Sequence, residues 1–233
     1  MTLLGYCAVV ALSLVARRIS DDPCFVDDLL AYRERQLWDR CVTIKRRTEF
    51  IGGRLAAKLC ATLYRNALGL PPKNLSAIEV YPLYDRRPVC LHDDGLCHSV
   101  SISHSHGWAE ALVPAGRGRV GLDIEAAGSR VRPAASFFTE AELSQLGGAE
   151  EARLYWTLKE AYGKLTGQGV IGYVHDMKVL RHEGRLWLAV PERIHNMNGC
   201  LLSAGTYGRL AMSVGFSDDV GTALKGTKDG TAS

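Results

Sequence analysis

The sequence predicts an α+β fold that is built twice along the chain. Segments with strand and helix periodicity follow one another in the order strand, helices, strands, and the second part of the chain shows this order again. The length of 233 residues suits one large domain or two small ones. A hydrophobic fraction of 47% and a charged fraction of 23% are typical of a chain that buries a core. No direct internal repeat can be aligned, so we expect the halves to share architecture only.

Charge and cysteine content exclude some functions. The net charge of +3 gives no overall field that would attract nucleic acid, so we expect no nucleic-acid partner. The seven cysteines are odd in number, scattered and without a C-x-x-C pair. This usage indicates reduced thiols and a cytoplasmic location rather than a disulfide framework.

The first predicted element is a buried strand over Leu3–Val15. This apolar run resembles a signal peptide, but its charges, Arg17 and Arg18, follow it instead of preceding it. Thirteen residues are also too few to cross a bilayer, so we expect no membrane span. A secretory signal stays the alternative interpretation.

The first half continues with helices and then strands. We predict a partly exposed helix over 27–40 and a longer one over 48–67, whose apolar face holds Phe50, Ile51, Leu55, Leu59, Leu63 and Leu68. Gly52 and Gly53 inside this helix indicate a close approach of another backbone or of a ligand. Strands are predicted over 78–83, 99–103 and 108–113, with a loop over 84–95 and a turn over 114–118.

The second half begins with a strictly alternating strand over 119–125. Thr139 and Glu142 have the spacing of a capping box for a short helix. A stronger helix covers 149–166, and four strands follow over 177–180, 185–190, 200–204 and 210–214. We expect three segments: an N-terminal half (1–115), a C-terminal half (116–216) and a disordered tail (217–233).

Acidic residues of the second half are candidates for a metal site. Asp123 and Glu125 project from the same face of one strand, as hard cations require, although an exposed edge strand explains the spacing as well. Glu160 and Lys164 are neighbours on the surface of the following helix. They form either an ordinary i, i+4 ion pair or a third carboxylate with a lysine suited to a pyrophosphate.

Basic residues of the first half are candidates for phosphate binding. Five of them lie close together around the glycine pair, and two more follow: Lys45, Arg46, Arg47, Arg54 and Lys58, then Arg86 and Arg87. A solvated helix face is the plainer alternative. The segment Ser101–His106 adds hydroxyls and imidazoles, and its spacing to nearby cysteines does not favour zinc. Two G-x-G-x-x-G strings lack the strand-to-helix context of a dinucleotide site.

Several of these segments, in this order, resemble the 4′-phosphopantetheinyl transferases. The strongest part is the pair Gly121-Leu122-Asp123-Ile124-Glu125 and Trp156-Thr-Leu-Lys159-Glu160-Ala-Tyr-Gly-Lys164, with Phe137-Phe138 and Glu142 between them. The segments Arg47–Arg54, Tyr84–Pro88 and Ser101–Ser105 are similar to motifs upstream in that family. The resemblance covers about 37–179 and is closest to the long type that activates surfactin and enterobactin synthetases.

The resemblance implies a fold and a reaction. The fold is a pseudodimer of two similar α+β halves with the active site in the cleft between them. The reaction transfers the phosphopantetheine arm of coenzyme A to a serine of an apo acyl or peptidyl carrier protein and releases adenosine 3′,5′-bisphosphate. We expect Mg²⁺, which Mn²⁺ can replace, and a monomer. The alternatives are a coenzyme A- or carrier-binding module without activity and another coenzyme A-dependent acyltransferase.

The resemblance also implies residue roles. Asp123, Glu125 and Glu160 would bind the metal, and Lys164 would protonate or stabilise the leaving group. His104, Arg47, Arg54 and Arg87 would hold the 3′-phosphate, with help from Ser103 and Lys159. Glu160 or a neighbouring carboxylate would accept the serine proton. Whether Arg86 or Arg87 takes the basic role in its loop stays open.

Overall fold

The computed structural model describes residues 4–116, 118–126, 137–170, 174–182, 185–189, 201–207 and 210–216. The predicted tail, 217–233, lies outside the described residues. The chain divides into two compact units, Met1–Ala115 (unit 1) and Gly116–Ser233 (unit 2), and this boundary lies in the turn that follows Pro114. Both units mix helices with antiparallel sheets, so the predicted α+β class is confirmed. Among the described residues, no helix has the length and apolar character needed to cross a bilayer.

Unit 1 is a long helix packed on a three-stranded antiparallel sheet. Its elements are β1 (Gly5–Ala11), α1 (Leu12–Asp21), α2 (Phe25–Leu29), α3 (Tyr32–Asp39), α4 (Ile44–Ala67), β2 (Ile78–Pro82), β3 (Pro88–His92), β4 (Cys97–Ser99), β5 (Ser101–Ser105) and β6 (Trp108–Pro114). The main sheet has the order β1-β6-β5, and a smaller sheet has the order β2-β3-β4.

Three predictions for unit 1 are wrong in part. The strand predicted to reach Val15 ends at Ala11, where the Leu12 N–H donates to the Gly107 carbonyl and α1 begins. The single helix over 27–40 is two helices, because the chain is extended at Leu30 and Ala31. The predicted loop over 84–95 contains β3, which pairs with β2 on one side and β4 on the other.

The buried face of α4 also differs from the prediction. Phe50 and Ile51 are buried as predicted, and Leu55 packs against them, but Leu59, Leu63 and Leu68 are exposed. Small and aromatic side chains fill the rest of the buried face: Ala56, Ala57, Cys60, Ala61 and Tyr64. The glycine pair belongs to this packing, since a Cβ on Gly52 would overlap the side chain of Leu12. Close packing therefore accounts for the two glycines.

Unit 2 repeats the arrangement of unit 1. Its elements are β7 (Val120–Ala126), α5 (Glu140–Gln145), α6 (Ala149–Thr166), β8 (Lys178–His182), β9 (Arg185–Ala189), β10 (Leu201–Tyr207) and β11 (Leu210–Phe216). The predicted bounds of α6 are confirmed, and Gly167, with φ +76°, ends the helix in the left-handed conformation. The predicted capping box of Thr139 and Glu142 is also confirmed.

The two sheets have equivalent topology. In each unit the first strand lies at one edge, the last strand lies in the centre, and the strand before the last lies at the other edge, giving β1-β6-β5 and β7-β11-β10. In each unit the long helix, α4 or α6, packs on this sheet. The elements β1, α4, β5 and β6 therefore correspond to β7, α6, β10 and β11.

A buried Glu–Lys pair occupies the same place in both units. In unit 1, Glu34 Oε2 accepts hydrogen bonds from Lys58 Nζ (2.5 Å) and from the Ala31 N–H that precedes α3 (2.9 Å). Glu34 Oε1 accepts the Val80 N–H of β2 at 3.2 Å, and Lys58 Nζ donates also to the Leu29 carbonyl at 2.6 Å. The pair thus ties a short helix, the long helix and a strand together. We call this arrangement the unit 1 brace.

The unit 2 brace has the same chemistry. Glu142 Oε2 accepts from Lys159 Nζ (2.8 Å) and from the Thr139 N–H (2.8 Å), and Glu142 Oε1 accepts the Val179 N–H of β8 at 2.9 Å. Lys159 Nζ donates also to two backbone carbonyls. Burial of both lysines lowers their pKa from the ordinary value. The matching lysines, Lys58 and Lys159, align α4 with α6 residue by residue.

In unit 1, a series of polar groups in contact with one another is buried. The Arg65 guanidinium, which only donates, lies 3.5 Å from His92 Nδ1. His92 Nε2 lies 3.0 Å from His98 Nε2, and His98 Nδ1 lies 3.5 Å from the Ser99 carbonyl, which only accepts. With a donor at one end and an acceptor at the other, the tautomers that fit this series carry the hydrogen of His92 on Nε2 and that of His98 on Nδ1. Neither imidazole has room for a second proton.

This series of polar groups predicts a loss of stability in mild acid. Burial lowers the pKa of His92, and burial followed by the charge of His92 lowers the pKa of His98 to about 4. The unfolded chain therefore binds these protons first, and stability should fall as the pH drops from about 6.5 towards 4. For His98 the loss is about 3 kcal/mol.

Chemical denaturation between pH 7.5 and 4 measures this loss. His98→Gln should flatten the dependence, because the amide oxygen accepts the His92 hydrogen and does not titrate. His106→Asn, at an exposed imidazole, serves as the control and should keep the wild-type slope. Equal slopes in wild type and His98→Gln would contradict the prediction.

Candidate functional site

The acidic residues of β7 lie on the face of the strand that meets α6. A Cβ on Gly121 would overlap the Ala161 carbonyl oxygen and lie 2.8 Å from the Leu165 nitrogen, so glycine lets the helix approach the strand. Side chains alternate along a strand, so Asp123 and Glu125 share the face of Gly121. Leu122 and Ile124 are buried on the other face.

This close approach brings Lys164 to Asp123. Lys164 Nζ donates to Asp123 Oδ1 at 2.7 Å. Asp123 is buried, whereas 30% of the Lys164 side chain is exposed. The Lys164 ammonium is therefore held against a buried carboxylate, while part of the lysine side chain is exposed.

Glu160 lies on the same side of α6 as Lys164. It precedes Lys164 by one helical turn and follows Thr157 by about one turn. The Thr157 hydroxyl lies 2.7 Å from the hydroxyl of Ser213, the residue that opposes Asp123 in the β11–β7 register. Since Thr157 and Lys164 both reach this strand pair, the turn of α6 that carries Glu160 lies over the same part of the sheet.

The donor chemistry of this site suits a hard dication. Asp123, Glu125 and Glu160 offer only carboxylate oxygens, and Mg²⁺ typically takes one or two protein carboxylates with waters and phosphate oxygens. Among the described residues, however, no three His, Cys, Asp or Glu side chains stand together as a metal site. The three carboxylates thus match Mg²⁺ in kind without forming a closed three-residue cluster.

Lys159 does not take the place that the resemblance implies. Its ammonium has no exposed surface, and it donates to Glu142 and to the carbonyls of Phe137 and Val174. All three of its hydrogens are therefore used inside unit 2, and we assign the residue to the brace instead of to a phosphate.

The candidate phosphate-binding arginines of unit 1 each have a partner. Arg47 Nε donates to the Cys41 carbonyl at 2.8 Å, and Arg87 Nε donates to Asp85 at 2.8 Å. Arg54 Nε lies 3.2 Å from Glu34 Oε1, and its guanidinium carbon lies 4.3 Å from the centre of the Phe50 ring. Burial lowers the pKa of Arg54 from its ordinary value.

The serine-histidine segment alternates along β5. Ser103 is buried and His104, its neighbour, is exposed. The two side chains point to opposite faces of the sheet, so only the imidazole is presented to solvent.

In the loop before β3, Arg86 is exposed and has φ +66°, while Arg87 is half-buried.

Comparison of the two units distinguishes residues that the fold requires from residues that it does not require. The lysine alignment places Leu59 at the position of Glu160 and Leu63 at that of Lys164. The equal lengths of β1 and β7 place Ala8 and Val10, which pack towards α4, at the positions of Asp123 and Glu125. The braces occur in both units, but the acidic set and its lysine occur only in unit 2. The fold therefore does not require these four charged side chains.

Sequence reasoning missed Glu34. It was assigned to a partly exposed helix, yet its side chain is 1% exposed and carries the unit 1 brace. The available signal was its spacing of three residues after Ala31, which equals that of Thr139 and Glu142. Because alanine has no capping oxygen, this spacing did not indicate a helix start.

Comparison with known proteins agrees with the resemblance for part of the chain. Residues 119–198 match the family model of the 4′-phosphopantetheinyl transferase superfamily, and this stretch contains Asp123, Glu125, Glu160 and Lys164. No curated protein matches the sequence.

Solved holo-acyl-carrier-protein synthases are similar to about half of the chain. One from Bacillus anthracis, in complex with CoA (3′,5′-ADP), has 25% identity and a TM-score of 0.39, over 49% of this chain and 97% of that one. One from Neisseria meningitidis has 16% identity and a TM-score of 0.41, over 50% and 100%. An ACPS–CoA complex from Chronobacterium ammoniagenes has 24% identity and a TM-score of 0.41, over 49% and 96%. These TM-scores are too low to transfer a function.

Gly121→Ala should destabilise unit 2. The added methyl group meets backbone atoms of α6, which cannot rotate away, so the helix must shift at a cost of about 1 to 3 kcal/mol. Gly116→Ala is the matched control, because a Cβ there meets nothing within 4 Å. Urea denaturation compares the two variants, and equal stability would refute close helix–strand packing at Gly121.

Proposed function

We propose that the chain transfers 4′-phosphopantetheine from coenzyme A to a carrier protein. The serine hydroxyl of an apo acyl or peptidyl carrier protein attacks the β-phosphorus of coenzyme A. A bond forms from the serine oxygen to this phosphorus, the pyrophosphate P–O bond breaks, and adenosine 3′,5′-bisphosphate leaves. The match of 119–198 to the transferase superfamily supports this reaction class.

The observation that carries the proposal is the contrast between the two units. A strand–helix pair of the same design holds Ala8, Val10, Leu59 and Leu63 in unit 1 and four charged residues in unit 2. Burying a carboxylate such as Asp123 costs free energy that an alanine avoids. A set that the fold does not need, and whose member Asp123 is buried at a cost, is best explained by a reaction.

Each of the four charged residues of the candidate site has a role in this proposal. Asp123, Glu125 and Glu160 would hold Mg²⁺, which when bound neutralises pyrophosphate charge. Lys164, which is held against Asp123 and partly exposed, would donate a proton or a hydrogen bond to the departing phosphate oxygen. Glu160 or a neighbouring carboxylate would accept the proton of the serine hydroxyl.

Unit 1 would hold the 3′-phosphate of coenzyme A. Arginine suits this task because its planar guanidinium binds two phosphate oxygens at once. Arg54, Arg47 and Arg87 are the candidates, with the exposed imidazole of His104. The buried hydroxyl of Ser103 would position this strand.

Subtype and setting belong to the proposal too. We infer the long type that activates peptide synthetases, acting as a monomer, because two units are joined in one chain. A reducing cytosol is consistent with free thiols at all six described cysteines.

The direct test incubates the protein with an apo carrier protein, coenzyme A and Mg²⁺ and then weighs the carrier. We expect a gain of one phosphopantetheine mass, loss of transfer with EDTA, and recovery with excess Mg²⁺ or Mn²⁺. If no carrier from fatty-acid, polyketide or peptide synthesis gains this mass while coenzyme A still binds, the chain is a binding module and the proposal fails.

Two substitutions that remove a negative charge and keep the side-chain shape test the acidic set. Asp123→Asn and Glu160→Gln should each reduce transfer by at least about a hundredfold while the melting temperature stays within a few degrees, because each removes a negative charge from the site and leaves its shape. Glu150→Gln, in the exposed first turn of α6, is the control and should transfer normally. Near-normal turnover in either site variant would remove that residue from the site.

A further inference from the structure

The unit 1 brace differs from the unit 2 brace in one respect. Glu34 has two cationic partners, Lys58 Nζ at 2.5 Å and Arg54 Nε at 3.2 Å, whereas Glu142 has Lys159 alone among the described cations. The position of Arg54, one turn before the brace lysine, is occupied in unit 2 by Tyr155. The arginine is therefore an addition to a brace that works without it.

The addition leaves an excess of positive charge in a sheltered place. One carboxylate faces two cations, and the exposed fraction is 0% for the Lys58 side chain, 1% for Glu34 and 16% for Arg54. Uncompensated charge with little solvent is unfavourable unless an anion approaches it. The exposed part belongs to Arg54, so an anion can reach the excess charge there.

The guanidinium of Arg54 is held at one edge. Its Nε faces Glu34, and its plane lies near the Phe50 ring, with 4.3 Å from Cζ to the ring centre. The two terminal nitrogens, with four N–H groups, form the fork that binds a phosphate in a bidentate manner. Nε is buried and pairs with Glu34 by charge, without hydrogen-bond geometry, and this contact does not use the fork.

We propose that Glu34 is a positioning residue that holds the guanidinium of Arg54 for a phosphate monoester of the substrate. This inference rests on the proposed function, in which that monoester is the 3′-phosphate of coenzyme A. Glu34 itself does not touch the substrate. It acts through Arg54, and it is fixed in turn by Lys58 and by the backbone N–H groups of Ala31 and Val80.

The direction in which a ratio of KM values changes distinguishes positioning of Arg54 from simple charge balance. If Glu34 only offsets positive charge, Glu34→Gln makes the site more positive and strengthens binding of the 3′-phosphate. If Glu34 positions Arg54, the same substitution releases the guanidinium and weakens that binding. Coenzyme A and dephospho-coenzyme A, which lacks the 3′-phosphate, report the difference as a ratio of KM values.

We expect Glu34→Gln to raise the KM for coenzyme A about tenfold or more and to leave the KM for dephospho-coenzyme A nearly unchanged. In the Arg54→Ala background, Glu34→Gln should have no further effect on the ratio, because its route to the phosphate is gone. Glu142→Gln is the matched control in the brace that lacks the arginine. It should lower the melting temperature to a similar extent without changing the ratio.

A second variant tests the proposal in case Glu34→Gln does not fold. Glu34→Gln combined with Lys58→Met removes the buried ammonium that would otherwise lose its partner, and it should show the same change in the KM ratio. An unchanged or lowered ratio in a folded variant, or an equal rise of both KM values, would overturn the role of Glu34. Absence of transfer by the wild-type protein would overturn the proposed function instead, so the two failures are distinct.

Discussion

A carboxylate and an ammonium buried together hold each unit of this protein. Such a pair is often no more stabilising than a well-packed apolar pair, but loss of one partner costs about 3 to 5 kcal/mol because the other charge is left buried. Glu34 and Glu142 also accept the N–H that precedes a short helix and the N–H of a strand. Each brace therefore determines where the short helix, the long helix and the strand meet, and the position of the long helix on its sheet follows from it.

The duplicated brace makes it possible to decide, within this one chain, which residues the fold requires. Two copies of one design share the residues that the design requires, so residues that differ in charge between the copies serve another purpose. Lys159 illustrates the first class: its sequence neighbourhood suggested a phosphate ligand, and its counterpart Lys58 shows that the fold needs a lysine there. Lys164 illustrates the second class, because its counterpart is Leu63 and the same helix forms with either residue.

Much of the fold was predictable from local signals, and the errors have a common cause. The bounds of α6 follow from apolar periodicity and a terminal glycine, and the start of α5 follows from its capping box. Only part of the buried face of α4 could be predicted, because alanine, cysteine and glycine fill most of it while leucines such as Leu63 face solvent. The burial of Glu34 was not predicted for a related reason. It depends on a contact with a lysine 24 positions away, and local sequence patterns do not indicate such a contact. Strand alternation and helical spacing are local patterns, so they placed the residues of the acidic set as candidates, while the metal role came from the family resemblance.

The net charge of +3 conceals two local imbalances of opposite sign. In unit 1, Arg54 and Lys58 share the single negative charge of Glu34, which leaves an excess positive charge that only an anion can offset. In unit 2, the candidate site has three carboxylates and one ammonium, and of these Asp123 and Lys164 are paired at 2.7 Å. The imbalance in unit 1 lies where solvent is limited, so water screens it only weakly. Under the proposed function, a phosphate group would offset the excess charge of unit 1, and a divalent cation would separately offset that of unit 2.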